Sequence, residues 1–164
     1  MRAAKFAFLL AAAAGLPAGE ANAAVNVSFV QPERYTDATL ANGYGEAARA
    51  PVLNEIAAYL QQLGQRYLPP GRELTVEILD IDLAGQFEWW RRNAYDTRIM
   101  REVTRPRIAL RYRLEEKGAV LARAEEALTD PYYLSNQAAQ ISGDPLRYEK
   151  SMLDDWFRAR FARK

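Results

Sequence analysis

The chain has no cysteine and no histidine among its 164 residues. Without cysteine it can form no disulfide, no thiolate nucleophile and no thiolate metal site. The same absence removes the lipid-bearing residue of a lipoprotein. Without histidine it lacks the usual general base near neutral pH and the commonest metal ligand. A Ser-His-Asp triad, a His-bound zinc and a Cys-His dyad are all excluded. Any acid-base chemistry falls to carboxylates, lysine or tyrosine. Charge of one sign is scarce as well: 22 basic residues face 21 acidic ones. That balance does not suit a general nucleic-acid binder, which carries a basic excess. Long apolar runs are also missing. The longest, Phe6 to Leu16, falls short of the roughly 20 residues needed to cross a bilayer.

That short run has a different meaning in its context. Arg2 and Lys5 precede it, and Ala21-Asn22-Ala23 follows with the small-x-small pattern of a signal-peptidase site. Residues 1–23 are therefore read as a signal peptide and 24–164 as a single domain. The expected location is the periplasm, or outside the cell, with no transmembrane segment after processing. Removing the leader takes away Arg2, Lys5 and Glu20, so the remaining charges cancel. With no disulfides to help, the core of this domain must be sufficient alone.

Hydrophobic periodicity gives the elements. Val25, Val27 and Phe29 alternate with Asn26 and Ser28, as in a half-buried strand. Gln31 to Gly45 reads as loop. Pro51 suits the first turn of a helix, and Leu53, Ile56, Leu60, Leu63 and Tyr67 form its apolar stripe. Pro69-Pro70-Gly71 stops it. Leu74 to Leu83 changes face midway, which predicts a bulge or a central strand buried on both sides. Residues 84–104 read as a loop with a helical turn or two. Ile108, Leu110, Tyr112 and Leu114 alternate with outward-facing arginines, and Lys117-Gly118 predicts a tight turn. In the returning strand, Ala119 to Leu128, either Val120 with Ala122 and Ala124, or Leu121, takes the inner face. Tyr132 to Gln140 predicts a short helix. A final helix opens at Gly143-Asp144-Pro145, with Asp144 as its cap and Pro145 in its first turn, and buries Leu146, Leu153, Trp156, Phe157 and Phe161. The sum is an α+β fold: a single two-layer domain with a mixed or antiparallel sheet and two main helices on one face.

Several runs, in this order, carry a resemblance. They are Pro32-Glu33-Arg34-Tyr35-Thr36-Asp37, Asp80-Ile81-Asp82-Leu83-Ala84-Gly85, Arg105-Pro106-Arg107-Ile108, Leu128-Thr129-Asp130, and Leu146-Arg147-Tyr148-Glu149-Lys150 running into Asp155-Trp156. Together they resemble the bacterial family of domain of unknown function 3016. The resemblance covers nearly all of the chain after the leader. It implies an exported bacterial protein, assigns no reaction, and supplies no catalytic residues.

Two groups of side chains are candidates for function. Trp89, Trp90, Arg91, Arg98, Arg107 and Arg111 lie in one arginine-rich segment with aromatic neighbours. Arginine forks match carboxylate and phosphate geometry, so this segment is a candidate surface for an envelope protein or an anionic glycan. A solvated face with arginines paired to Glu125 or Glu126 is the plainer alternative. Asp80 and Asp82, with Asp37 or Asp130 near, are a candidate acidic site. They could serve a carboxylate-based hydrolase of cell-wall glycan, or simply end a central strand. No calcium-loop pattern or glycine-rich phosphate loop is present, and neither a metal nor a cofactor is expected. The leading expectation is a non-enzymatic exported binding domain. The alternatives are the glycan hydrolase and a structural homo-oligomer assembled through an edge strand such as Val25 to Val30.

Overall fold

In the computed structural model, residues 23–88, 90–91 and 96–162 are described. The expected leader lies, except for its last residue, outside the described residues, and so does Trp89. The chain runs β1 (Ala24–Phe29), α1 (Glu46–Tyr67), β2 (Arg72–Asp82), β3 (Gln86–Phe87), β4 (Arg98–Ile99), β5 (Arg107–Glu116), β6 (Ala119–Thr129), α2 (Gln137–Ile141) and α3 (Arg147–Phe161). Four strands form one mixed sheet in the order β1-β2-β5-β6. The α1 crossover makes β1 parallel to β2, and the other neighbours are antiparallel. β5 and β6 join through Lys117 and Gly118, whose φ angles of 51° and 80° suit a primed hairpin turn. The α+β reading with helices on one face holds.

Alternation sorts the sheet into two faces. Leu74, Val76, Ile78 and Ile81 of β2 join Ile108, Leu110 and Leu114 of β5 on the inner face. Val52, Ile56, Leu60 and Leu63 of α1 cover them, with Met152, Leu153, Trp156, Phe157 and Phe161 of α3. The α3 aromatics close over Tyr112 edge to face, at 5.8 Å for Trp156 and 5.3 Å for Phe161. The face change in β2 is a bulge between Ile78 and Asp80. The Tyr35 hydroxyl donates to the Ile78 carbonyl there at 2.8 Å, and burial pushes that phenol up to about 12.

Several local details differ from the expectation or decide it. α3 starts at Arg147 with Leu146 at its N-cap, so Asp144 and Pro145 lie before the helix. α1 starts at Glu46, so Pro51 lies inside the helix and not in its first turn. Ala47, Ala48 and Ala50 are strong helix formers, and Pro51, on the exposed side, forgoes only the bond to the Ala47 carbonyl. The fully buried stripe adds Val52, while Leu53 and Tyr67 pack against the core partly buried. Among the described residues, 84–104 hold a short antiparallel ladder, Gln86 with Ile99 and Phe87 with Arg98, beside two single turns, in which the Arg91 amide donates to Glu88 and the Thr104 amide to Arg101. In β6 the inner face goes to Ala122 and Ala124. A register shift after Leu114 leaves Leu121 as the extra residue, half exposed at 47%.

Candidate functional site

Of the expected acidic site Asp37, Asp80, Asp82 and Asp130, the structure brings the first three to one corner of the sheet. Asp37 makes a parallel bridge with Asp82, continuing the sheet past β1. Its amide donates to Ile81 and its carbonyl accepts from Leu83, at 2.8 and 3.1 Å. Asp80 accepts from the Thr36 amide and the Thr36 hydroxyl, both at 2.7 Å, one on each oxygen. Both of its oxygens therefore hold the loop that follows β1. Burial raises the Asp82 carboxyl above its ordinary range. Arg107, at 3.9 Å, opposes this, and the charges of Asp37 and Asp80 add to it. Asp130 does not join them in a common task; it accepts from the Tyr132 amide at 2.9 Å and starts the turn after β6. Among the described residues, no three acidic side chains converge as metal ligands would.

Arg98, on β4, is the tie of this corner. Its guanidinium forks onto both Asp37 oxygens at 2.9 and 3.1 Å. It also donates to the carbonyls of Gly85 and Thr39 at 2.8 and 2.6 Å, and it stacks over the Phe87 ring at 4.7 Å. Only 10% of its side chain is exposed. Gly85 lets β4 come this close. Its φ is 75°, and a Cβ there would meet the Ile99 carbonyl at 2.8 Å. The sequence offers Arg98 as a ligand-binding residue, and the structure gives its fork to the loops.

Two buried carboxylates stand behind the corner. Glu88 is 1% exposed and pairs with Arg91 and Arg101, each at 2.6 Å. Glu149, in the first turn of α3, is equally buried and accepts from the Ala84 amide at 2.7 Å. Sequence reasoning missed both. For Glu149 a signal existed: it follows Leu146 by three residues and precedes Leu153 by four, on the apolar stripe of α3. Burial raises its carboxyl above the ordinary value, against the Ala84 bond and the charges of Arg98 and Arg147. A raised acid favours folding most below the unfolded carboxyl value, and that contribution disappears as pH climbs through the folded value. Glu149→Gln should therefore gain stability relative to the native chain at neutral pH and lose that advantage in acid. Thermal unfolding of both chains from pH 4 to pH 8 checks it. A penalty that grows toward neutral pH would show that the ionised carboxylate is the favoured form.

The second locus is the outer face of the sheet, which no described helix covers. Outward residues of β2, β5 and β6 form cross-strand rows: Thr75, Arg113 and Arg123 in one, Glu77, Arg111 and Glu125 in the next. Farther along lie Asp82, Arg107 and Thr129. The first two rows, Thr75, Arg113 and Arg123 with Glu77, Arg111 and Glu125, line a shallow depression of about 590 Å³. Arg111 pairs with Glu77 and not with Glu125, and that pairing holds the Glu77 carboxyl below its ordinary value. Arg113 pairs with Glu115 at 2.7 Å. Glu126 points inward, accepting from Trp156 Nε1 at 3.1 Å and from Arg160. Arg123 was not among the residues the sequence singled out, although alternation along β6 places it opposite Arg113.

The predicted arginine segment is thus divided. Arg107 and Arg111 stand on the bare face, Arg98 lies in the loop tie, and Arg91 holds Glu88. Trp90, 55% exposed, sits on the loop between β3 and β4. Chemically, the depression offers guanidinium forks for carboxylates, and glutamates with a threonine for hydroxyls.

A model of the family described as "Protein of unknown function (DUF3016)" matches residues 23–159. No curated protein and no solved structure matches the chain.

Proposed function

We propose, for a chain that belongs to the DUF3016 family, a non-catalytic binding role outside the cytoplasm, with an anionic glycan of the cell envelope held on the bare face of the sheet. The leader pattern at residues 1–23 supports the location. The observation that carries the ligand class is the depression of the outer face, where three arginines alternate with two glutamates around Thr75. A sugar acid presents carboxylates and hydroxyls together, and this lining answers both. Exposed ion pairs contribute little to stability, about 0 to 1 kcal/mol each, so these arginines are available at small cost to the fold. Asp80, with both oxygens taken up by Thr36, weighs against the carboxylate-hydrolase alternative.

Polygalacturonate, a carboxylated polysaccharide, is a suitable probe, with neutral dextran as control. The native chain should bind the former in a salt-sensitive manner and not the latter. Replacing Arg111 and Arg113, which line the depression, together with glutamine should weaken binding at least about tenfold, the equivalent of 1.4 kcal/mol, with circular dichroism unchanged. Equal binding by the variant would remove the face from consideration.

A further inference from the structure

The sheet has two edges, and β6 is the more exposed. It is 11 residues long, contains no proline, glycine or lysine, and pairs only with β5 among the described strands. Long edges without such protection are templates for another strand. The bulge at Leu121 lies near its start, leaving the regular run Ala122 to Thr129. Within the chain, Arg123 faces Arg113 directly across the strands, a like-charge pairing that destabilises. Arg113 turns to Glu115, and Arg123 has no acidic partner among the described residues.

We infer that a second copy of this chain pairs antiparallel along β6 about Ala124, setting Arg123 of each copy opposite Glu125 of the other. The register follows from the side chains. Antiparallel partners must share a face, so the twofold axis passes through a residue and not between two. An axis at Arg123 sets arginine on arginine, and axes at Glu125 or Glu126 set glutamate on glutamate. An axis at Ala124 sets Arg123 on Glu125 twice, small Ala124 on itself, and Ala122 on Glu126. The inward bonds of Glu126 to Trp156 and Arg160 stay intact. Leu121 approaches the Ala127 end of the partner strand. Such an isologous contact closes on itself, and two four-stranded sheets become one of eight strands with a continuous bare face. This moves the expected assembly edge from Val25–Val30 to the opposite side of the sheet. The inference goes beyond the glycan reading and does not depend on it.

Light scattering after size exclusion, over a dilution series of the whole exported chain, tests the pairing. The native chain should show twice the monomer mass at high concentration and the monomer mass on dilution. Arg123→Glu and Glu125→Arg should each be monomeric, and the two together should restore the dimer. Arg123→Glu also turns the in-chain Arg113 contact into an attraction, so its monomer should unfold no more easily than the native chain. Loss of the dimer then has no other cause than the edge. A native chain that stays monomeric, single variants that remain dimeric, or a double swap that fails to recover would each overturn the inference.

Discussion

Replacing Arg98 with alanine should lower the unfolding free energy by about 1.5–3 kcal/mol, the range for hydrogen bonds to charged groups. The pair is partly buried, with Arg98 10% exposed and Asp37 26%. The loss is not confined to Asp37. The carbonyls of Gly85 and Thr39 lose their donor, and buried Glu149 loses one of the two positive charges that favour its ionised form. Three segments, the loop after β1, the turn after β2 and β4, would lose a common partner. Arg98→Lys should recover only part of the loss, because a single ammonium cannot fork onto both Asp37 oxygens and still reach the loop carbonyls. Denaturant unfolding measures both variants. A cost below about 1 kcal/mol for the alanine variant, the worth of a surface pair, would mean that the tie is incidental.

Gly64→Ala is the second large effect, and its sign is the point. Glycine inside a helix costs about 0.8–1 kcal/mol relative to alanine, so propensity alone predicts a gain at this position of α1. The packing predicts the reverse. A Cβ on Gly64 would stand 2.1 Å from Val25 Cγ2, where the helix crosses closely over β1. Val25 is β-branched with a stiff χ1, and it is buried. Overpacking of this kind costs about 1–3 kcal/mol, so the net result should be destabilising. Val25→Ala in the same chain should reverse much of the penalty, since it removes the methyl that the new Cβ would strike. The double-mutant cycle should show favourable coupling between the two positions. If Gly64→Ala alone raises the unfolding midpoint, the close approach of helix and strand is wrong.

These two positions show what the sequence could and could not reveal. β2, β5 and the last helix are written in local periodicity. The face change in β2 was readable because parity is preserved on either side of Leu79, and the β5–β6 hairpin was readable from Lys117-Gly118. The inner face of β6 was not, because its small alanines weigh little against Leu121 until β5 fixes the register. Arg98 is another kind of failure. It bonds a carboxylate 61 residues away, and no local pattern distinguishes an arginine bound for a loop tie from those on an open face. Glu88 and Glu149 were hidden for the same reason, since their partners come from other elements. Gly64 reads as an ordinary weak point in a helix until β1 is laid against it. The acidic positions Asp37, Asp80 and Asp82 were legible as a group, because the end of a central strand needs such residues to satisfy loop amides.

Two kinds of arginine are set apart: Arg98 ties the corner, while Arg111 and Arg113 line the depression of the outer face. The most direct measurement is a residue-resolved amide NMR titration of the native chain with polygalacturonate. Shift changes should cluster at the outward positions of the sheet, Thr75, Glu77, Arg111, Arg113 and Glu125, and leave the amides of Ala84, Gly85 and Arg98 in place. Changes centred on the β3–β4 loop, or none at all, would contradict it.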